Sequence, residues 1–312
     1  SFRIRIVPVH YFFCMLQPFG RNVHLIYKNR YLNMKKTMQR LGVAAMVAVM
    51  AVMGTGCVYS GALTLSEQDK KVVSKTIPVK QFDHLDVATG INVTYTPGAT
   101  REMKVTAPAC LMERLEVKQK GGELKLILKS REHQDASFSD LLRKLKSEDG
   151  VKVQLSSPSL KEIDTSSGAS VKAVSLPNVY ELEFSASSGS EIEVGSLEAG
   201  KFEADASSGA VIKVKAARVN DMDADASSGA EIKISGIKAV KVEADASSGA
   251  EIELAGEAQD VDFEASSGAS VNARDLKAGT ASVGASSGGS VKYNARTTTV
   301  DKSRGIKNYY KD

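Results

Sequence analysis

The 312-residue chain carries 41 basic and 37 acidic residues, a formal charge of +4, with three Cys, four His and no Trp. Eight of the basic residues and none of the acidic ones fall within residues 1–56; the remaining chain has 33 basic residues against 37 acidic, which removes the electrostatic case for a nucleic-acid partner. Cys14 lies in that first segment and Cys57 directly after it, so Cys110 is left as a lone thiol and no internal disulfide is expected to staple the fold.

Residues 1–33 lack an initiating Met and precede one at Met34, so they read as an upstream extension outside the fold. From Met34 the basic run Met34-Lys-Lys-Thr-Met-Gln-Arg40 leads into the apolar stretch Leu41–Met53, then Gly54-Thr55-Gly56-Cys57. That apolar stretch is shorter than the roughly 20 residues a spanning helix needs, so residues 34–56 read as a secretory signal. Small residues before a cysteine resemble a lipobox, although Gly54 stands where Leu is usual. Cys57 is therefore the expected lipid-attachment residue. It would place the protein in the cell envelope as an outer-membrane lipoprotein, on the periplasmic face or the cell surface, with the membrane as a partner. Residues 57–76 read as a tether.

Strand-like alternation begins near Ile77 and continues through Phe82–Val87, Ile91–Tyr95, Met103–Val105, Leu115–Val117, Leu124–Leu128 and Val151–Leu155. Within it, Leu141, Leu142 and Leu145 have helical spacing and predict one short helix over 139–147.

From about 163 to 293 the string Ser-Ser-Gly returns seven times, at Gly168, Gly189, Gly209, Gly229, Gly249, Gly268 and Gly288, with intervals of 19 to 21 residues. A fixed period of this kind marks a stacked solenoid. In Phe202–Val214 the residues Phe202, Ala204, Ala206, Ser208, Ala210, Ile212 and Val214 share one parity, and Glu203, Asp205, Ser207, Gly209 and Lys213 the other, which is a strand pattern. One strand running the same way past the same marker in every repeat predicts an all-β parallel β-helix, with 77–312 as one domain of roughly ten coils. Ser208, Ser228 and Ser248 are expected inside it, and each glycine is expected at a corner or bulge. The basic Arg304, Lys307 and Lys311 suit a polar cap on the final coil, with Tyr309 and Tyr310 packed against it.

Gly90-Ile91-Asn92, with the preceding Phe82-Asp-His-Leu-Asp-Val87, Pro158-Ser-Leu160 and the Ser-Gly repeats, resembles the head GIN domain family of auto-transporter adhesins over roughly Ile77–Tyr293. The resemblance implies a right-handed parallel β-helix in an exported bacterial protein, often a lipoprotein. It supplies no established ligand or active site.

Stacking repeats surface residues as well as core ones. Asp205, Asp225 and Asp245 should form one outward column, with Glu203, Asp223 and Glu243 beside it, and Ser207, Ser227 and Ser247 a second. Like charges one strand spacing apart repel by about 1 kcal/mol even in water-like dielectric, so lysines such as Lys201, Lys213, Lys233 and Lys241, a cation or a basic partner should offset them. No nucleophile motif, phosphate loop or Cys/His metal spacing is visible, and neither a cofactor nor a metal is expected. The sequence thus reads as a non-enzymatic adhesion or binding scaffold that meets a glycan or an envelope protein through repeated polar ladders. The alternatives are a structural or stress-related envelope protein and, less favoured, a β-helix carbohydrate-active enzyme.

Overall fold

The computed structural model describes residues 67–99, 102–129, 150–300 and 305–311. The signal segment, Cys57, Arg304 and the helix expected over 139–147 lie outside the described residues. Two single-turn helices, α1 (Glu67–Lys70) and α2 (Ala109–Met112), accompany the strands. The early strands are β1 (Val72–Pro78), β2 (His84–Ala88), β3 (Asn92–Pro97), β4 (Glu102–Pro108), β5 (Leu115–Lys120), β6 (Glu123–Leu128), β7 (Lys152–Ser157), β8 (Glu162–Ser166) and β9 (Ser170–Ser175). The array continues with β10 (Val179–Ala186), β11 (Glu191–Ala206), β12 (Val211–Val214), β13 (Ala217–Ala226), β14 (Glu231–Ala246), β15 (Glu251–Ala265), β16 (Ser270–Ala285), β17 (Ser290–Val300) and β18 (Ile306–Asn308).

From β8 to β17 each strand pairs in parallel with its counterpart about 20 residues later, and β18 closes the array on β17 at a shorter interval, giving a β-solenoid of about seven turns instead of roughly ten. The difference lies at the start of the domain. There β4 pairs antiparallel with β1 and β7, and β5 antiparallel with β6, so these strands close the first edge instead of adding coils. The parallel stack itself thus has no open edge at this end, and β1 and β5 are the outer strands. Pairing begins at Val72, inside the stretch read as a tether. Sequence order and spatial order also part company, because β2 and β3 lie between β6/β7 on one side and β8/β9 on the other.

The interior follows the parity expected from the repeats. Ile192, Ile212, Ile232 and Ile252 form one buried column, continued by Val271 and Val291. Ala206, Ala226, Ala246 and Ala265 line the thin part next to the corners. Phe184 and Phe202, from adjacent coils, meet edge to face with centroids 5.0 Å apart, a geometry aromatic pairs prefer.

At each corner the second serine and the glycine both have positive φ, for example Ser208 at 54° and Gly209 at 70°. The Ala210 amide donates to Ser207 O at 3.1 Å, closing a turn whose two central residues are left-handed. These two residues swing outward, so Ser208, Ser228 and Ser248 are exposed, contrary to the parity expectation, and alternation resumes at the buried Ala210. A Cβ at Gly209 or Gly229 would meet nothing within 4 Å, so backbone conformation, not clearance, selects glycine there.

At the far end Asn308 imitates a strand. Its Nδ2 donates to Ala295 O at 3.0 Å and its Oδ1 accepts from the Ala295 amide at 3.2 Å. The Tyr309 amide donates to Tyr293 O at 2.7 Å and Lys307 Nζ lies 4.6 Å from the centre of the Tyr309 ring, whereas Tyr310, expected to pack against the final coil, is exposed.

Candidate functional site

The strongest surface feature is an acidic strip fixed by strand register. Glu162, Glu183, Glu203, Asp223, Glu243 and Asp262 are successive register partners. Two residues along each strand runs a second column, Asp86, Asp164, Ser185, Asp205, Asp225, Asp245 and Glu264. A third column, two residues earlier, alternates in sign as Glu181, Lys201, Asp221, Lys241 and Asp260.

That alternation decides where charge is neutralised. Lys201 binds Glu203, and Lys241 binds Glu243. The strand between them, β13, carries Asp221, Asp223 and Asp225, so acid density peaks there. Lys213 and Lys233 serve another face, where they pair with Glu191 and Glu253. Only two of the four lysines expected to offset the strip therefore do so.

Crowding changes the acids' chemistry. Loss of hydration, then the charges of Asp223, Asp205, Asp245 and Glu203, pushes the Asp225 carboxyl from its ordinary 3.8 up to about 8. Asp223 is also raised, by lost hydration and then by Glu243 and Glu203. The fold thus holds a proton on Asp225 that the unfolded chain releases, so stability is full below pH 3.8 and declines as pH rises toward 8. Asp225→Asn is expected to flatten this slope. It should stabilise the protein above pH 8 and leave it unchanged below pH 3.8. Because Asp225 is surface-exposed, water screens the effect, and the gain should be about 1 kcal/mol and shrink with added salt. Urea midpoints of both proteins across this range test it, and parallel pH profiles would contradict it.

The serine columns run beside the strip. Ser207, Ser227 and Ser247 are half-buried, and each accepts the turn-closing amide through its carbonyl. The exposed hydroxyl row is formed instead by their neighbours Ser208, Ser228 and Ser248. Gly90-Ile91-Asn92 occupies the same structural place one coil earlier. Thr89 and Gly90 have φ of 63° and 67°, the Gly90 amide donates to Ser167 O at 3.1 Å, and Ile91 is buried. The equivalent Gly209 amide donates to Ser228 O at 3.2 Å. The motif is thus the first corner of the stack, a structural element.

At the start of the strip stands a cluster that sequence reading missed. His84 Nε2 lies 2.9 Å from Asp164 Oδ2, and its Nδ1 lies 3.5 Å from Glu162 Oε2. Burial alone would lower the imidazole's pKa. The Asp164 hydrogen bond and the charges of Glu162, Asp164 and Glu123 outweigh it together and raise the pKa. Beside the cluster Lys125 binds Asp86.

A cleft of about 320 Å³ opens elsewhere, lined by Lys233, Glu253, Asn272, Arg274 and Asp275 among others. It falls where the register slips between β15 and β16 and again between β16 and β17.

The family profile described as "Putative auto-transporter adhesin, head GIN domain" matches residues 81–249 and 227–305. Three crystal structures share the fold. A "putative adhesin" from Parabacteroides merdae ATCC 43184 is 16% identical, with 76% of this chain and 96% of that one covered and a TM-score of 0.65. A "Putative lipid binding protein" from Parabacteroides distasonis ATCC 8503 is 17% identical, with 76% and 96% covered and a TM-score of 0.58. A "putative adhesin" from Bacteroides fragilis NCTC 9343 is 20% identical, with 77% and 98% covered and a TM-score of 0.52. At these identities the likeness concerns the fold alone. No curated protein matches the chain.

Proposed function

The chain belongs to the head GIN domain family, and from that premise we propose that it is a non-enzymatic adhesion scaffold of the cell envelope, a right-handed solenoid anchored through a lipid on Cys57. The observation that carries the reading is the register itself. Acidic and hydroxyl side chains recur as continuous rows at one strand spacing, about 4.8 Å, so a partner meets a repeating surface. A polymer with its own repeat, such as a glycan, or the basic face of an envelope protein can engage several coils at once and accumulate weak contacts. Family naming as adhesins supports an envelope location.

The test is binding of the full chain to glycan arrays and immobilised envelope fractions. The triple variants Asp205→Asn/Asp225→Asn/Asp245→Asn and Ser208→Ala/Ser228→Ala/Ser248→Ala should be compared with the parent. At least one set is expected to weaken capture about tenfold or more, about 1.4 kcal/mol. Equal capture by all three proteins would overturn the ladder reading. Cys57→Ser is expected to move the protein from the membrane pellet to the soluble fraction, and continued sedimentation would refute the anchor.

A further inference from the structure

We propose that His84, Glu162 and Asp164 form a binding site for a divalent transition ion of the zinc and cobalt class. One imidazole nitrogen and one oxygen from each carboxylate lie within 4.8 Å of one another. The solenoid register builds this convergence. His84 is the direct partner of Glu162 across β2 and β8, and Asp164 follows two residues later on the same outward face. The three side chains are 25%, 23% and 33% exposed, which limits their movement and leaves room for water as a further ligand.

Chemistry selects the ion. A neutral imidazole with two carboxylates presents two negative charges and a mixed nitrogen and oxygen donor set. That set suits borderline ions such as zinc, whereas calcium and magnesium favour oxygen alone. The neighbouring Asp86 is already bound by Lys125, whereas Glu162 and Asp164 each bring a carboxylate oxygen within 3.5 Å of an imidazole nitrogen. The site differs from the remainder of the strip, where no histidine stands among the acids of β10 to β15. A cation here would also neutralise Glu162, the first member of one acidic column, and Asp164, the second member of the other. The inference does not depend on the adhesion reading, because binding of an ion and capture of a glycan are measured separately.

The experiment is titration of the full chain, stripped with chelator, with Zn²⁺ by calorimetry and with Co²⁺ by visible absorption. One ion per chain is expected, with ligand-field bands of a low-coordinate cobalt centre and an upward shift of the thermal midpoint. His84→Gln and Asp164→Asn should each weaken binding at least about tenfold, with the Tyr180→Ala protein, altered at an exposed residue outside the strip, as a control that retains it. X-ray absorption of the zinc-loaded parent requires no variant and should show one imidazole among oxygen ligands. Absence of saturable binding, unchanged affinity in both folded variants, or a zinc shell without imidazole would each overturn the site.

Discussion

Phe202→Ala is expected to destabilise the fold by about 4 kcal/mol, the range for truncating a fully buried aromatic side chain. Phe202 is fully buried, and its ring meets the edge of Phe184 in the adjacent coil. Its next register partner is Met222, and the columns beside it are already narrow at Ala204 and Ala224. Small neighbours cannot expand into the space, so most of the cavity would persist. In a solenoid each coil is held by those above and below it, so the damage weakens two interfaces in mid-array. Tyr180→Ala, at a residue 80% exposed, should change stability by no more than about 0.5 kcal/mol. Denaturant unfolding of both proteins tests the contrast, and a Phe202→Ala midpoint equal to that of Tyr180→Ala would refute the packing account.

Gly256→Ala is expected to destabilise by about 3 kcal/mol, although it adds one methyl group. Gly256 has φ of 138°, and a Cβ there would stand 2.3 Å from Ile237 O and 2.4 Å from Ile237 N. Both are backbone atoms of the neighbouring coil and cannot rotate away. The crowding has an origin in the repeat lengths. The coil between Gly249 and Gly268 is 19 residues long, and the structure absorbs its missing residue by a register shift between Ile234 and Ile237, opposite Gly256. Gly229→Ala is the comparison. Its φ is 70° but its surroundings are open, so only the left-handed backbone penalty applies, about 1 kcal/mol. Equal unfolding midpoints for the two variants would show that the close approach at Gly256 does not matter.

What could be read from the chain was whatever the repeat imposes. Periodic Ser-Ser-Gly strings and parity placed the isoleucine column inside and Asp205, Asp225 and Asp245 in one outward row. Parity failed where the backbone leaves the strand. Ser208 has φ of 54°, a conformation that serine does not announce, and so it faces solvent. Features made by distant pairing were equally hidden. His84 meets Asp164 across 80 residues, and the placement of β6 and β7 outside β2 and β3 reverses the order in which those segments occur. The role of Gly90 emerged only from its φ and its bond to Ser167 O, which identify it with the later corners.

The displaced position of β2 and β3 bears on how the domain is assembled as it emerges during synthesis or export. Neither flank of this pair is covered until β6 and β7 have appeared on one side and β8 and β9 on the other. About 75 residues must follow Pro97 before both are in place, whereas each later turn needs only about 20 more to dock on the one before. The segment up to Ser175 is therefore the slow, exposed stage of maturation, and everything after it is templated growth in one direction.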